Sequence, residues 1–398
     1  MLRTSSWPSF RLLANVISSD RRISLGEGNT PLVRSQWIGQ SLGVKELYFK
    51  LEQTNPTGSY KDRFAAQLVS LLVAGGHELC LGTSSGNAGA AMAAYSAAAG
   101  ITCVLCVPEN APAAKLTQIQ AYGARLLRVR GMVDSAVTLR ALFERLQDIA
   151  RRSGMPLGVS AYALSPEAMA GIEPLGEELV AQLGAPPEHV FVPVGSGGCL
   201  IATWNGLRSA GRSSGHSARH NTEGPAGRNE GAPGDRVVSK VYAVQADGND
   251  TLVSAFRAGE TQAREVTAHV PPARISGLGV PIDLDATRAL QAVRESGGGA
   301  YVVEDERVWE AQTQLAQREG LYVEPAGAVS VAGLWHAVKD GRIAPHERVV
   351  CLLTGHGFKD GDAARRMADR RGTSGGGDLT ISPEELDEAL LKRLSDRS

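Results

Sequence analysis

Along the chain, short apolar runs rich in β-branched residues alternate with longer stretches in which apolar side chains recur every three or four positions. Short runs of the first kind read as strands, and a recurrence near 3.6 residues reads as a helix packed on one face. On this basis strands are expected at Glu46–Glu52, Leu79–Gly82, Thr102–Val107, Arg125–Val129, His189–Val194, Lys240–Gln245, Ala300–Glu304 and Arg348–Leu353. Helices are expected at Lys61–Ala74, Asn87–Ala99, Ala136–Arg151, Glu167–Leu183, Asp305–Arg318 and Ala326–Val338. The strands carry few polar positions, so both faces of each sheet must be covered. The pattern predicts an α/β protein whose parallel, twisted sheets are clad in helices, arranged at this length as two lobes.

Two stretches break the rhythm. Ser209 to Arg236 is rich in Gly, Ser, Arg, Asn and Pro, with almost no large apolar residue, and reads as a disordered insertion. The tail opens with the linker-like Arg370-Arg-Gly-Thr-Ser-Gly-Gly-Gly377 and ends in a short helix announced by Ser382-Pro-Glu-Glu385. Leu386, Leu390, Leu391 and Leu394 would form one stripe on that helix. Residues 1–22, with Trp7, Phe10, Leu12 and Leu13, read as a docking arm, although the absence of an acid before Asp20 also suits a transit peptide. Residues 23–370 would form the main body, with a smaller lobe near 85–160 and a larger lobe from 23–84 plus 161–370, and 371–398 the tail.

Composition narrows the class. Of 398 residues 46 are glycine, against an average near 7%, and no Gly-X-Y period accompanies them. The net charge of −1 offers no basic surplus for nucleic acid. Five cysteines are too sparse for a disulfide framework and fit a reducing cytoplasm; the lone pair Cys103 and Cys106 lies within one strand and reads as core. The uncharged stretch Ala88–Pro108 is alanine-rich and split by Gly100, which makes it a core helix and strand rather than a membrane span.

Candidate chemistry lies where strands end. Asn55-Pro-Thr-Gly-Ser-Tyr-Lys61 is a turn that delivers Lys61 to a helix start. The macrodipole there favours a neutral amine, the form that attacks carbonyls, while a solvated lysine beside Asp62 is the competing reading. Gly82-Thr-Ser-Ser-Gly-Asn87 gathers Thr83, Ser84, Ser85, Gly86 and Asn87 at a helix start, a cradle for a carboxylate or phosphate. Gly195, Ser196, Gly197 and Gly198 form a nest suited to a compact phosphate ester; they lack the lysine of a P-loop and the dinucleotide spacing. Thr354 offers a neutral hydroxyl after the last strand, and His356 reads either as a general base or as a structural histidine between two glycines. A Schiff-base lysine, a phosphate nest, a carboxylate loop and a neutral hydroxyl describe pyridoxal 5'-phosphate with a small amino-acid substrate.

Taken in order, Leu25-Gly-Glu-Gly-Asn-Thr-Pro-Leu32, Asn55–Arg63, Ser84-Ser-Gly-Asn-Ala-Gly89, Pro193–Gly198, Glu324-Pro-Ala-Gly-Ala328 and Thr354-Gly-His-Gly-Phe-Lys-Asp360 resemble the threonine synthase family, within fold type II of the pyridoxal-phosphate enzymes. The resemblance runs from about Trp7 to Asp360. It implies two lobes with the cofactor between them, a homodimer, and no membrane or nucleic-acid partner. It further implies that Lys61 carries the cofactor as a Schiff base and that Asn87 meets its phenolic oxygen. Gly195, Ser196, Gly197 and Gly198 would hold its phosphate, Thr354 its ring nitrogen, and Ser84, Ser85, Gly86 and Asn87 the substrate carboxylate.

Two departures bear on the substrate. The family's usual Gly-Asn-Ala-Gly-Asn loop is Gly195-Ser-Gly-Gly-Cys199 here, and no Lys or Arg occurs from Ser160 to Val190, where an arginine is expected to meet the substrate phosphate. Lys115, Arg63 and Lys359 are the candidate replacements. Three readings therefore stand: conversion of O-phosphohomoserine and water to threonine and phosphate; β-elimination or β-replacement on serine, threonine or an activated serine; and a non-catalytic cofactor-binding regulator, against which Lys61, Asn87 and Thr354 together argue.

Overall fold

The computed structural model describes residues 22–111, 113–132, 135–217, 239–266, 275–372 and 381–395. Most of the expected arm, and the part of the expected insertion from 218 onward, lie outside these residues. Ten strands, β1 (Leu32–Arg34), β2 (Glu46–Lys50), β3 (Leu79–Thr83), β4 (Thr102–Pro108), β5 (Arg125–Val129), β6 (Leu157–Gly158), β7 (His189–Pro193), β8 (Lys240–Ala246), β9 (Gly299–Val303) and β10 (Arg348–Leu352), form two sheets among the described residues. The larger has the order β1-β2-β10-β7-β8-β9 and the smaller β5-β4-β3-β6. Apart from the short antiparallel edge strand β1, every pairing is parallel. The fold is thus the α/β class with parallel sheets that the alternating pattern predicts.

Parallel strands need crossovers, and these are the helices whose apolar stripes cover the sheets. Along β7 the side chains alternate between two cores: Val190 and Val192 pack with the helices on one face, Phe191 with those on the other. The first of these cores also contains Cys80, Leu105 and Val107 of the smaller sheet, so one continuous apolar layer underlies both sheets. Cys103 and Cys106 fall in different clusters on opposite faces of β4, both buried and both free thiols. No helix is long and apolar enough to cross a membrane among the described residues.

The structure departs from the sequence pattern at three places. The strand expected over Glu46–Glu52 stops at Lys50, because Glu52 opens a 3₁₀ turn and turns its carboxylate to Arg63. The helix expected over Glu167–Leu183 is broken into Pro166–Met169, a 3₁₀ turn Ala170–Ile172 and Pro174–Leu183. Pro174 lacks the N–H that a continuous helix would use, and a side chain at Gly171 would strike the Arg63 carbonyl at 2.5 Å. Ser209, the expected start of the insertion, instead lies within the helix Gly198–Ser217, whose buried first half (Leu200, Ile201, Ala202, Trp204, Leu207) nucleates turns that the polar residues prolong.

Residues Gly361–Ser398 form a separate unit, containing the helices Gly361–Gly372 and Leu386–Ser395. The Ser382–Glu385 capping box expected at the start of the second is formed.

A buried ion cluster ties the first segments of the body together. The Arg63 guanidinium bonds both oxygens of Glu52 at 2.8 Å and both oxygens of Glu178 at 2.6 and 2.8 Å. Lys50 adds a 2.6 Å bond to Glu178 and others to the Thr30 carbonyl and Gln182. Burial opposes ionisation of Glu178, yet the Arg63 and Lys50 contacts outweigh it and hold its pKa at about 2. Burial likewise pulls Lys50 below its ordinary value despite Glu178. Removing the guanidinium leaves two buried carboxylates uncompensated, so Arg63→Ala should cost about 3–5 kcal/mol, measured by urea unfolding. Because the Glu178 pKa is depressed on folding, its contribution is complete above its ordinary value of 4.5 and is lost as pH falls toward about 2. Unfolding midpoints recorded down that acid range should fall less steeply in Glu178→Gln than in the wild type.

Candidate active site

Lys61 is the first residue of helix α1 (Lys61–Ala74), reached from β2 through a loop that Gly58 turns with a φ of 88°. That loop is knit by its own polar groups: the Thr57 N–H and hydroxyl donate to Asp62 at 2.9 and 2.6 Å, and Asn55 donates to Glu52. The Lys61 amine is half-buried in the protein, donates to the Ser160 hydroxyl at 2.9 Å and lies 4.5 Å from the centre of the Tyr60 ring. Burial brings its pKa down to about 8, against the pull of Cys199 and Asp285. Desolvation is therefore the main cause of its readiness to lose a proton, and the solvated surface lysine is not what the fold builds.

Asn87 starts helix α2 (Asn87–Ala98), directly after the β3 loop that holds Ser84, Ser85 and Gly86. Its amide donates to Glu324 Oε1 at 2.6 Å, and Glu324 immediately precedes the helix Pro325–Lys339. The loop closes on itself, the Gly86 N–H donating to Ser84 Oγ at 3.1 Å. Gly89 permits this tight entry, since a Cβ there would lie 2.3 Å from the Ser84 carbonyl oxygen. Gly355, one residue past Thr354, admits the Asn87–Glu324 pair in the same way: its Cβ would fall 1.8 Å from Glu324 Oε1.

Gly195, Ser196 and Gly197 link β7 to helix α3 (Gly198–Ser217), whose first N–H groups have no intrahelical partner. At Gly197 φ is 109° and a Cβ would sit 2.7 Å from Ala289; at Gly198 it would meet Met169 at 2.5 Å. Only backbone fits here, and a concave array of backbone N–H groups at a helix start accepts a phosphate. Thr354 is buried just past the end of β10.

All ten residues singled out from the sequence, Lys61, Ser84, Ser85, Gly86, Asn87, Gly195, Ser196, Gly197, Gly198 and Thr354, line one cavity of about 340 Å³. They arrive from the carboxyl ends of β3, β7 and β10 and from the start of α1, the usual place for a ligand in parallel sheets. The amine, amide, hydroxyl and backbone donors gathered in this cavity are of the kind that could hold a phosphate-bearing aldehyde such as pyridoxal phosphate. His356 caps the turn Gly357–Lys359, its Nδ1 accepting the Phe358 N–H at 3.2 Å, and stacks on Phe358.

Two contributors escaped the pattern, and a third was visible without its role. Ser160 follows a strand of only two residues, too short for any periodic signal. Asp285 sits beside Gly198 and accepts the Tyr162 and Ala163 N–H groups, which shapes the segment that bears Ser160; burial raises its pKa to about 6. Glu324 stood in the Glu324-Pro-Ala-Gly-Ala328 motif, but its pairing with the Asn87 amide appears only in the folded chain.

The model of the family described as "Pyridoxal-phosphate dependent enzyme" matches residues 23–355. The chain is 36% identical over 352 residues to the threonine synthase of Methanocaldococcus jannaschii, covering 87% of this chain and 79% of that one. It is 32% identical over 348 residues to that of Halalkalibacterium halodurans, covering 87% of each. Threonine deaminase isoform 2 of Solanum lycopersicum superposes with a TM-score of 0.68 at 18% identity, covering 93% of this chain and 91% of that one, and a serine racemase from Dictyostelium discoideum with 0.62 at 23%, covering 83% and 92%. The chain belongs to the pyridoxal-phosphate-dependent enzymes and, among them, to the threonine synthase family. Its fold is type II of that class, and its cofactor is pyridoxal phosphate.

Two outcomes follow from this geometry. Uptake of pyridoxal phosphate by the apo-protein should accelerate as pH rises through about 8, because the neutral amine is the reactive form; stopped-flow absorbance would show it, and a flat profile would contradict it. Gly355→Ala should part Asn87 from Glu324 and weaken cofactor binding about tenfold, measured by fluorescence titration.

Proposed function

We propose that the protein converts O-phosphohomoserine and water to threonine and phosphate. What carries the reading is the convergence of Lys61, Asn87 and its Glu324 partner, the glycine loop and Thr354 on one cavity, in a chain 36% identical to a threonine synthase. Bound pyridoxal phosphate supplies an electron sink for charge developing on the substrate's carbon skeleton. Lys61, whose amine enters the cavity, would hold the cofactor and is the base placed to move the substrate's α-proton. Ser160 keeps the amine aimed into the cavity through their 2.9 Å bond. The Ser84–Asn87 turn would present hydroxyl and N–H donors to the substrate carboxylate, and Thr354 would offer the cofactor's ring nitrogen a neutral hydroxyl.

The same reading makes the protein an enzyme acting on a small amino acid in the cytoplasm without a nucleic-acid partner, supported by its net charge of −1 and its free cysteines, and, by family resemblance, a homodimer. A second reading, elimination or replacement on serine, threonine or an activated serine, is favoured by the lack of any Lys or Arg between Ser160 and Val190. Incubating the holoenzyme with O-phosphohomoserine should release threonine and phosphate in equal amounts. Keto acid from serine or threonine, with no phosphate release above background, would favour the second reading.

A further inference from the structure

A second, larger chamber of about 710 Å³ adjoins the cofactor cavity and shares Gly86, Asn87 and Glu324 with it. A substrate whose carboxylate rests on the Ser84–Asn87 turn has this chamber beside it for its side chain. Among the described lining residues its one Lys or Arg is Lys359. Of the other two cations considered for the missing arginine, Arg63 is committed to Glu52 and Glu178, and the Lys115 side chain lies outside the described residues.

Lys359 is held in place. Its amine donates to Gln118 Oε1 at 2.8 Å, and the Gln118 amide nitrogen donates to the Thr57 carbonyl at 3.0 Å, which fixes the oxygen toward the lysine. Gly58 leaves room for its stem, since a Cβ there would lie 3.0 Å from Lys359 Cε and 3.3 Å from His356 Cβ. His356 lines the same chamber. Its Nδ1 is occupied as an acceptor, so the proton of the neutral ring sits on Nε2, a second donor. Burial lowers the Lys359 pKa, opposed by the carboxylates of Glu324 and Asp62, and burial and Lys359 lower the His356 pKa. Asp360 also lines the chamber.

Resting on the reading that the substrate carries a phosphate ester, we propose that Lys359, with His356 as second donor, binds that phosphate in the outer chamber and so takes over the part of the absent arginine. Charge-assisted bonds to phosphate are the strong ones. Lys359→Gln in the holoenzyme should raise KM for O-phosphohomoserine about tenfold or more, with a smaller change in kcat, and Lys359→Arg should restore most of the loss. Inorganic phosphate should compete with the substrate in the wild type, and its calorimetric affinity for the holoenzyme should fall by a similar factor in Lys359→Gln. KM and phosphate affinity that stay within about twofold of wild type overturn the subsite, as does wild-type holoenzyme that phosphate neither binds nor inhibits. If O-phosphohomoserine is not turned over at all, the proposed reaction falls, and the subsite is then decided by phosphate binding in the two proteins alone. Should Lys359→Gln lose the cofactor's absorbance, the wild-type competition and Lys359→Arg decide.

Discussion

The start of the helix that carries Lys61 depends on a guanidinium placed two residues along it. Arg63 is buried, and burying its charge is tolerable only because Glu52 and Glu178 surround it and Lys50 completes the cluster. Those partners come from the turn after β2, the helix Pro174–Leu183 and β2 itself. The Gly28–Thr30 segment closes over them, with the Asn29 N–H on Glu178 and the Thr30 hydroxyl on Glu52. Charges withdrawn from water have few acceptable arrangements, so the cluster fixes where α1 begins. Lys61 thereby gains a defined position without spending its own amine on an ion pair.

Around that fixed point the site is assembled by subtraction. Gly355, Gly89, Gly197 and Gly198 each mark a place where a Cβ would collide with Glu324, the Ser84 carbonyl, Ala289 or Met169. Polar side chains and backbone N–H groups can converge on one ligand only if the intervening backbone carries no bulk. The glycine excess of the chain is in this part the signature of close approach. Burial then tunes what has converged: it lowers the Lys61 pKa and raises that of Asp285, which lies behind Gly198, both toward the neutral form.

Recognition of the substrate's far end follows a different logic. The segment from Ser160 to Val190, devoid of cations, is held by Asp285 through the Tyr162 and Ala163 N–H groups and serves the lysine through Ser160. Cationic character is instead found in the outer chamber, on the turn that follows Thr354 and Gly355. One continuous stretch of chain, Thr354 to Lys359, so contributes to both the cofactor cavity and its neighbour.

The strands, most helices and the loops that bear Lys61, Asn87, Gly195 and Thr354 were legible because each rests on local chemistry: a period, a glycine, a polar group after an apolar run. The break in the helix expected over Glu167–Leu183 was only half visible. Pro174 announced it, but the collision of Gly171 with the Arg63 carbonyl joins residues more than a hundred positions apart. Ser160, Asp285 and Glu324 belong to the same category, since each acts on a group brought to it by folding. Sequence alone determined which segments are strand, helix and ligand loop, because backbone sterics and hydrophobic period are local properties. Only the tertiary structure decided which of Arg63 and Lys359 is spent on the fold and which lines the outer chamber, because burial and the partners of a charge are set by the whole chain.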